Sequence, residues 1–379
     1  MGISGCILVK NEEKNIENCI KNLSKIVDEI IVIDNGSTDR TVDIAKQLGT
    51  IVHTCSDKKF DMARNEYIKL ASHEWIFVLD ADERIDDTAK ENVYRLLKEQ
   101  KECVAFSVPK YEYIGEGRWA LTNMWRLFRN NKQIRYTNTI MHASIYSSIR
   151  QMNGKCGIAN FAIHHLDGLD GNNRMYEKRK RNIKLSLEDI ENQKNNSYNL
   201  YYLYSFLGLE YAALGDYEKA EYIYKEAISI GTPSIPYAVI YLAQNYLLWG
   251  KYIEAQRIAQ QLVNLQNTLQ ARAFLLLAEI ELYYNNYNKV IEYCKQIEKI
   301  DCNNAANKLN MASLLINSNI QAAIDYVLSV KKINPYIMES VIYNKGSKMN
   351  VFAQQTAFLS CTQNAKEIVE TLGEFNVTL

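Results

Sequence analysis

Hydrophobic residues follow two different patterns along this chain. In the first part, short apolar runs that end in polar residues alternate with segments in which apolar residues recur every three or four positions. This is typical of buried strands alternating with amphipathic helices. Strands are predicted at 3–9, 29–34, 51–52 and 75–79, and helices at 15–25, 40–48 and 62–71. Such alternation predicts a mainly parallel sheet, which binds ligands beyond the carboxyl ends of its strands.

Residues from about 104 to 168 are less regular, with β-rich pieces at 104–108 and 158–165. A basic segment at 174–181 is typical of a solvated helix face and is expected to begin a connecting helix. Residues 192–197 have the composition of a loop.

From about residue 200 the pattern becomes a repeat of helical hairpins. Tyr217, Tyr252 and Tyr287 recur at intervals of 35 residues, each at the end of a similar turn. Three positions after each tyrosine comes a small or β-branched residue: Ala220, Ala255 and Val290. A weaker fourth unit is placed at Asn319 with Ala323. This spacing matches the tetratricopeptide period of about 34 residues, whose units stack into a curved solenoid.

Composition narrows the class of protein. Lys+Arg and Asp+Glu both total 44, so the net charge is zero and no nucleic-acid partner is indicated. No apolar run approaches the length of a transmembrane helix, and no signal peptide is expected. The eight cysteines form no pair or cluster with zinc-ligand spacing, which favours a reducing cytoplasm and no structural zinc.

The acidic pair Asp80 and Asp82 is the sharpest chemical signal. Both carboxylates follow a buried strand and can bend toward one site, where a divalent cation would remove their mutual repulsion and bind a diphosphate. The alternative is that these acidic residues only cap the helix that begins near Asp86.

The other two strand ends are also polar. Asp34 can accept a hydrogen bond from a nucleobase or a ribose, or it can form an Asx turn that shapes the loop. Asn11 and Glu12 are interpreted as donor-binding residues, and the alternative is a solvated helix start. Arg126 and Arg129 could clamp a diphosphate or be surface arginines on a hairpin.

Four ordered motifs carry a family resemblance. Residues 9–12 (VKNE), 33–39 (IDNGSTD), 60–65 (FDMARN) and 79–83 (LDADE) resemble those of family 2 inverting glycosyltransferases of the GT-A fold. Residues 125–129 (WRLFR) and 140–142 (IMH) are similar to the next two blocks of one branch. That branch includes lipopolysaccharide-core glucosyltransferase-like proteins and the sublancin-type peptide S-glycosyltransferases, which also carry tetratricopeptide repeats.

The resemblance implies an α/β GT-A (Rossmann-like) N-terminal domain, a nucleotide-sugar donor that is usually a UDP-sugar, and Mg²⁺ or Mn²⁺. It places Asp34 on the uracil, Asp80 on the ribose or the metal, and Asp82 on the metal. His142 is expected as a third metal ligand or as a loop residue, and one of His164 and His165 is expected to be structural. The full set of expected donor-binding residues is Val9, Asn11, Glu12, Asp34, Arg64, Asn65, Asp80, Ala81 and Arg126.

The sequence departs from the family pattern where a catalytic base is expected. Ala143 follows His142 where the branch usually has Glu, and no Glu-Asp pair is present. An inverting transfer needs a base for the acceptor's proton, although a cysteine thiol would need it less. The remaining base candidates are Glu112, Glu116 and Asp167.

These inferences give a domain plan and three functional hypotheses. A GT-A catalytic domain is expected at 1–170, a helical linker at 171–198, an all-α tetratricopeptide-like solenoid at 199–335 and a tail without assigned role at 336–379. The first hypothesis is sugar transfer to a peptide or protein side chain, with repeats that hold the acceptor, form a homodimer, or do both. The alternatives are a cell-envelope glycan or lipid-linked acceptor, and a non-catalytic adaptor with a lapsed transferase domain.

Overall fold

The computed structural model describes residues 2–55, 60–86, 89–115, 118–136, 144–166, 172–193, 197–231, 235–265, 268–301 and 304–334. The chain divides into two compact units. Unit one comprises residues 1–112 and 121–167, and unit two comprises residues 113–120 and 168–379.

Unit one is built on a mixed sheet. Its strands are β1 (Ile3–Val9), β2 (Glu29–Asp34), β3 (Ile51–Thr54), β4 (Trp75–Val78), β5 (Glu83–Ile85), β6 (Cys103–Gly115), β7 (Arg118–Arg129), β8 (Lys155–Ile158) and β9 (Ile163–His165). Their order across the sheet is β3-β2-β1-β4-β7-β6-β9-β5, with β8 paired to β6. The first four strands in this order are mutually parallel, as predicted, whereas β7 and β5 pair antiparallel to their neighbours.

Helices cover both faces of this sheet because its strands are apolar on both sides. The helices of the first unit are α1 (Ile16–Leu23), α2 (Thr41–Gln47), α3 (Phe60–Leu70), α4 (Ala89–Glu99) and α5 (Tyr146–Gln151). Alternate residues of β1 enter two different cores: Ile3 and Ile7 pack in one, and Cys6 and Leu8 in the other. This is the arrangement expected of a buried parallel strand.

The two β-rich pieces predicted in the irregular region form strands with other bounds. The piece at 104–108 is part of β6, which extends over 103–115 and is followed by the long strand β7. The piece at 158–165 contains the last residue of β8 and all of β9, with residues 159–162 between them. Polar and charged residues such as Lys110 and Glu112 obscured the long strand in the sequence, yet both side chains are buried.

Unit two is dominated by helices. They are α6 (Asn172–Asn192), α7 (Ser197–Ala213), α8 (Tyr217–Ser229), α9 (Ile235–Leu248), α10 (Tyr252–Leu262), α11 (Thr268–Tyr283), α12 (Tyr287–Ile300), α13 (Ala305–Leu315) and α14 (Ile320–Ile333). From α7 onward they form successive hairpins, and the fourth unit expected near Asn319 is present as α13 and α14. The helical repeat region is therefore confirmed.

The repeated turns share one backbone conformation and one capping hydrogen bond. Gly215, Gly250 and Asn285 have φ values of 79°, 78° and 57°, in the left-handed region. After each of them, a backbone N–H donates to a carbonyl five residues earlier, at 3.0, 2.8 and 2.8 Å. This closes each first helix with a Schellman-type cap, which requires a left-handed residue and favours Gly or Asn.

Close packing explains the small residues of the repeats. Ala220, Ala255, Val290 and Ala323 are buried within 1% exposure. At Gly208, an added Cβ would lie 2.4 Å from the ring of Tyr224, so only glycine allows α7 and α8 to approach this closely.

Unit two also contains residues 113–120, which include the end of β6 and the start of β7. Tyr113 and Trp119 are buried and meet edge to face, with ring centroids 6.2 Å apart. The Tyr113 hydroxyl accepts a hydrogen bond from Asn334 Nδ2 at 3.3 Å. None of the described helices has the length and apolar composition needed to cross a lipid bilayer.

Candidate active site

Three polar loops lie at one edge of the sheet. They follow β1, β2 and β4, which are parallel with β1 in the middle, so their carboxyl ends meet at the same edge. Neighbouring strands are about 4.8 Å apart, which puts the loops after β2 and β4 about 10 Å from each other. That separation suits an extended ligand lying across the edge.

The loop after β1 is tied to the loop after β2 by backbone and side-chain hydrogen bonds. Asn11 has a φ of 58°; its N–H donates to Ser37 Oγ at 2.9 Å, and its side-chain oxygen accepts from the Thr38 N–H at 2.8 Å. The Glu12 N–H donates to Thr41 Oγ1 at 2.8 Å. Asn11 and Glu12 therefore hold the two loops in one fixed surface, whatever else they contact.

Asp34 forms the Asx turn that was one of its two expected roles. Its carboxylate accepts from the Ser37 N–H at 2.9 Å and from the Gly36 N–H at 3.3 Å. Val9, the last residue of β1, accepts from the Asn35 N–H at 2.8 Å. Asp34 is buried, and the turn fixes the direction of its carboxylate without using all of its acceptor capacity.

Asp80 is held by two arginines. Arg64 Nη2 donates to Oδ1 at 2.9 Å and Arg126 Nη2 donates to Oδ2 at 2.6 Å, while the Asp80 side chain is 27% exposed. Burial alone would raise the pKa of Asp80, but Arg126 and Arg64 outweigh it and hold this pKa well below its ordinary value. The carboxylate is thus an ionised, oriented group.

Arg126 and Arg129 do not act as a pair. Arg126 is buried and bridges Asp80 to Glu83, whose Oε1 it meets at 2.6 Å. Arg129 donates to Glu74 and stacks over the ring of Trp75, with 4.6 Å from Cζ to the centroid. An odd spacing along a strand directs the two side chains to opposite faces, and the donor-binding role of Arg126 stays a prediction.

Asp82 lies beside His165. His165 Nε2 is 3.2 Å from Asp82 Oδ2, and each side chain is 18% exposed. The other ring nitrogen, Nδ1, contacts Glu112 Oε2. Burial would lower the pKa of His165, but Glu112 and Asp82 reverse this effect and raise the pKa well above its ordinary value.

Glu112 is a buried member of the same cluster. Burial acts to raise its pKa, but Lys110 and His165 outweigh burial and lower the pKa to about 2. Lys110 Nζ lies 2.6 Å from Glu112 Oε1 and 3.2 Å from Glu83 Oε1. As a base candidate, Glu112 therefore has both oxygens occupied by partners.

Asn65 and Ala81 support the site through the backbone. Asn65 Nδ2 donates to the carbonyl of Tyr136 at 3.0 Å, and its Oδ1 accepts from the Tyr136 N–H at 2.9 Å. The Ala81 carbonyl accepts from Arg84 at 2.8 Å. Of the remaining expected residues, His142, Glu116 and Asp167 lie outside the described residues, and their roles stay predictions.

The two adjacent histidines have different environments. His164 is buried and stacks on Tyr111, with ring centroids 5.5 Å apart and planes within 16°. Burial lowers the pKa of His164 to about 4. Because neighbouring residues in a strand point to opposite faces, only His165 faces Asp82.

The Asp82–His165 pair fits a divalent cation. Two ligands at about 2.1 Å from an octahedral ion lie about 3 Å apart when adjacent, close to the observed separation. Across the described residues, no three His, Cys, Asp or Glu side chains converge on one point. An ion held by this pair alone would therefore need water and substrate phosphates to complete its shell, as Mg²⁺ often does.

Sequence reasoning missed His165, Glu83 and Lys110 as members of this cluster. His165 was visible at the end of an expected strand, but its pairing with both β5 and β6 was not. Charged residues inside an extended strand are the signal that could have pointed to Lys110 and Glu112, because such groups are buried only when paired.

Residues 4–156 match the family described as Glycosyl transferase family 2. Together with the α/β sheet and its acidic edge, this match shows that the N-terminal part of the chain is a family 2 glycosyltransferase domain. The repeats follow it in the same chain.

Two relatives are similar to parts of this chain, one of them a glycosyltransferase by name. The chain is 30% identical over 232 residues to the SPbeta prophage-derived glycosyltransferase SunS of Bacillus subtilis, covering 59% of this chain and 52% of the relative. It is 38% identical over 135 residues to a TPR repeat-containing protein of Synechococcus elongatus, covering 35% of this chain and 33% of the relative. The chain thus spans about half or less of the length of these two relatives.

Two solved structures that match this chain are less similar to it in sequence than the two relatives above. Staphylococcus aureus TarS has a TM-score of 0.38 at 14% identity, covering 67% of this chain and 54% of TarS. Glucosyl-3-phosphoglycerate synthase of Mycobacterium tuberculosis, in complex with Mn²⁺ and UDP-glucose, has a TM-score of 0.27 at 23% identity. That overlap covers 29% of this chain and 43% of the synthase. Overlaps of this size define no shared ligand.

Proposed function

We propose that this chain transfers a sugar, with inversion, from a nucleoside diphosphate donor to a peptide or protein side chain, using Mg²⁺ or Mn²⁺. The observation that carries the proposal is the 3.2 Å approach of Asp82 and His165 at the acidic edge of a family 2 glycosyltransferase domain. The donor is a UDP-sugar if the family resemblance extends to the nucleobase.

The donor would lie across the carboxyl edge of the sheet. Asp34, fixed by its Asx turn, would accept from the nucleobase at one end. Asp82 and His165 would face the diphosphate at the other end, about 10 Å away across two strand spacings. Asn11 and Glu12 fix the loops between which the nucleoside would sit.

Asp82 and His165 would hold the metal ion. When bound, such an ion neutralises charge that builds up on the departing nucleoside diphosphate. Asp80 would not share this task equally, because Arg64 and Arg126 already balance its charge. Its oriented carboxylate is suited to a ribose hydroxyl, which can donate to the lone pairs that the arginines leave.

The acceptor's proton must leave during the transfer. Glu112 is poorly placed to accept it, because its side chain is 2% exposed and its two oxygens contact Lys110 and His165. Glu116 and Asp167 therefore remain as base candidates. A cysteine thiol acceptor would reduce the need for a strong base, because a thiol is partly ionised near neutral pH.

The repeats supply the argument for a peptide or protein acceptor. Stacked helical hairpins form extended surfaces that bind chain segments, and here they are covalently linked to the transferase domain. A homodimer through the repeats would use the same surfaces. The free cysteines, five of the six described ones being buried, suit a reducing compartment, and we place the reaction in the cytoplasm.

Donor binding can be tested by thermal unfolding with UDP, GDP, ADP and CDP, each with and without Mn²⁺. A nucleotide at 100 times its dissociation constant should add about 2.7 kcal/mol to the stability of the domain that binds it. The Mn²⁺-dependent shift should disappear in Asp82→Asn and persist in Asp43→Asn, an exposed carboxylate in the first turn of α2. No shift with any nucleotide would favour the adaptor hypothesis.

The acceptor can be tested by mass spectrometry. Wild-type protein, Mn²⁺ and a panel of UDP-sugars are incubated with Cys-, Ser- and Thr-containing peptides and, separately, with glycan and lipid-linked acceptors. Addition of one hexose to a peptide supports the proposal. Modification of glycans or lipids alone would contradict the peptide acceptor while preserving the transferase.

A further inference from the structure

Three strands place Glu83, His165 and Glu112 in one row. β9 lies between β5 and β6, with Glu83 opposite His165 on one side and Glu112 opposite His165 on the other. Directly paired residues on adjacent strands point to the same face of a sheet, so all three side chains share one face. His165 occupies the middle of this row.

The two nitrogens of His165 have different partners. Nδ1 contacts Glu112 Oε2, and Nε2 lies 3.2 Å from Asp82 Oδ2. A carboxylate at Nδ1 accepts the ring proton there, so the proton that a bound cation would displace is the one on Nε2, the nitrogen that faces Asp82. The arrangement thus selects both the tautomer and the rotation of the ring.

Glu112 is itself fixed on its other side. Lys110 Nζ lies 2.6 Å from Oε1, and the Thr122 hydroxyl lies 3.4 Å from the same oxygen. The Glu112 side chain is 2% exposed, so solvent does not compete for these contacts. Lys110 in turn reaches Glu83, which also accepts the Asp80 N–H at 2.9 Å.

We propose that Glu112 is a positioning residue that aims His165 Nε2 at the metal site shared with Asp82. This inference rests on the proposed function, since it assumes that Asp82 and His165 hold a divalent cation. It assigns to Glu112 a role through His165 instead of contact with the acceptor. Carboxylates that orient metal-binding histidines in this way typically change metal affinity by 10–100-fold when they are removed.

The test measures Mn²⁺ affinity directly, apart from turnover. Free Mn²⁺ is quantified by electron paramagnetic resonance as it is titrated into wild type, Asp82→Asn and Glu112→Gln in the presence of saturating UDP. Glu112→Gln keeps the size of the side chain and removes its charge. We expect its Mn²⁺ dissociation constant to rise about tenfold or more.

Glu210→Gln is the matched control. Like Glu112→Gln, it removes the charge of a buried carboxylate that is paired with a basic side chain. Glu210 is buried in unit two and pairs with Arg179 at 2.9 Å, so this change tests general destabilisation without touching the metal residues. Its Mn²⁺ affinity should equal that of wild type. If Glu112→Gln does not fold, Glu112→Asp withdraws the carboxylate from His165 while retaining the charge beside Lys110, and it should weaken Mn²⁺ binding likewise.

The outcomes separate the two proposals. Equal Mn²⁺ affinity in wild type and Asp82→Asn would contradict the metal site and with it the proposed function. Strong binding that is lost in Asp82→Asn but unchanged in the Glu112 variants would overturn the positioning role alone. Weaker binding in the Glu112 variants, with an unchanged Glu210→Gln control, supports it.

Discussion

Asn65 on α3 hydrogen-bonds both backbone polar groups of Tyr136, a residue 71 positions later in the chain. One planar amide thereby satisfies an N–H and a carbonyl that no described strand pairs. Tyr136 is buried and meets Tyr67 edge to face, with ring centroids 6.0 Å apart. The amide thus connects α3, which carries the predicted donor-binding residues Arg64 and Asn65, to the segment that includes Tyr136.

Replacing Asn65 with Ala should lower the free energy of unfolding by about 1–3 kcal/mol, because two backbone groups of Tyr136 lose their partners. Urea unfolding of both proteins measures this difference. Asn92→Ala is the control, since Asn92 is half-buried and its hydrogen bonds to the Asn160 carbonyl at 3.5 Å and from Arg95 at 2.6 Å are solvent-exposed. Equal losses in the two variants would show that the Tyr136 contacts contribute little.

Removing Arg126 should be more severe. Arg126→Met leaves Asp80 without one of its two arginines and leaves Glu83 with Lys110 as its remaining cation. Breaking a buried ion pair by deleting one partner typically costs about 3–5 kcal/mol. The loss is measured by urea unfolding at pH 7, with Arg95→Met on the exposed side of α4 as control. A loss below 1 kcal/mol would show that the network is not stabilising.

His164 should make the protein sensitive to mild acid. Its pKa of about 4 lies below the ordinary 6.5, so the folded protein binds fewer protons than the unfolded chain. Stability is therefore lost as pH falls from about 6.5 to about 4, by about 2 kcal/mol at pH 5. His164→Phe preserves a ring beside Tyr111 and should reduce the stability difference between pH 7 and pH 5 by that amount.

The measurement for His164 is the urea midpoint at both pH values. His53→Gln, on the exposed strand β3, serves as the control and should leave the difference between pH 7 and pH 5 as it is in wild type. The same pH difference in His164→Phe and in wild type would contradict the assignment of this acid sensitivity to His164.

The turn after α9 offers a test of backbone strain. Gly250 has a φ of 78° and an added Cβ would meet no atom within 4 Å, so any penalty comes from the backbone alone. Gly250→Ala should destabilise the protein by about 1–2 kcal/mol, and Gly250→Asn by less, because Asn tolerates this conformation. Thermal unfolding ranks the three proteins; an order with Ala above Asn would contradict the explanation.

The sequence predicted those features that depend on local pattern. Both parts of the fold can be identified from the apolar runs of β1, β2 and β4 and from the tyrosines at intervals of 35 residues. These patterns are local, because the burial of a strand or helix determines which nearby positions are apolar. The Asx turn of Asp34 is equally local. The helix ends differ from their predicted positions by a few residues, as caps and frayed turns allow.

The partners within the site could not be predicted in the same way. Arg126 is 46 residues from Asp80, and Glu112 is 53 residues from His165. Their contacts depend on strand register, which is set by pairing across the whole sheet. The acidic motif predicted that Asp80 binds a ligand. It did not predict the ion pairs with Arg64 and Arg126, which balance the charge of Asp80 and orient its carboxylate.

Unit two is not one continuous stretch of the chain. It includes residues 113–120, although the neighbouring parts of β6 and β7 belong to unit one. Within unit two, the Tyr113 hydroxyl accepts a hydrogen bond from Asn334, which lies 221 residues later. A fragment that begins at residue 168 would therefore lack the buried rings of Tyr113 and Trp119 and would lose this hydrogen bond of Asn334.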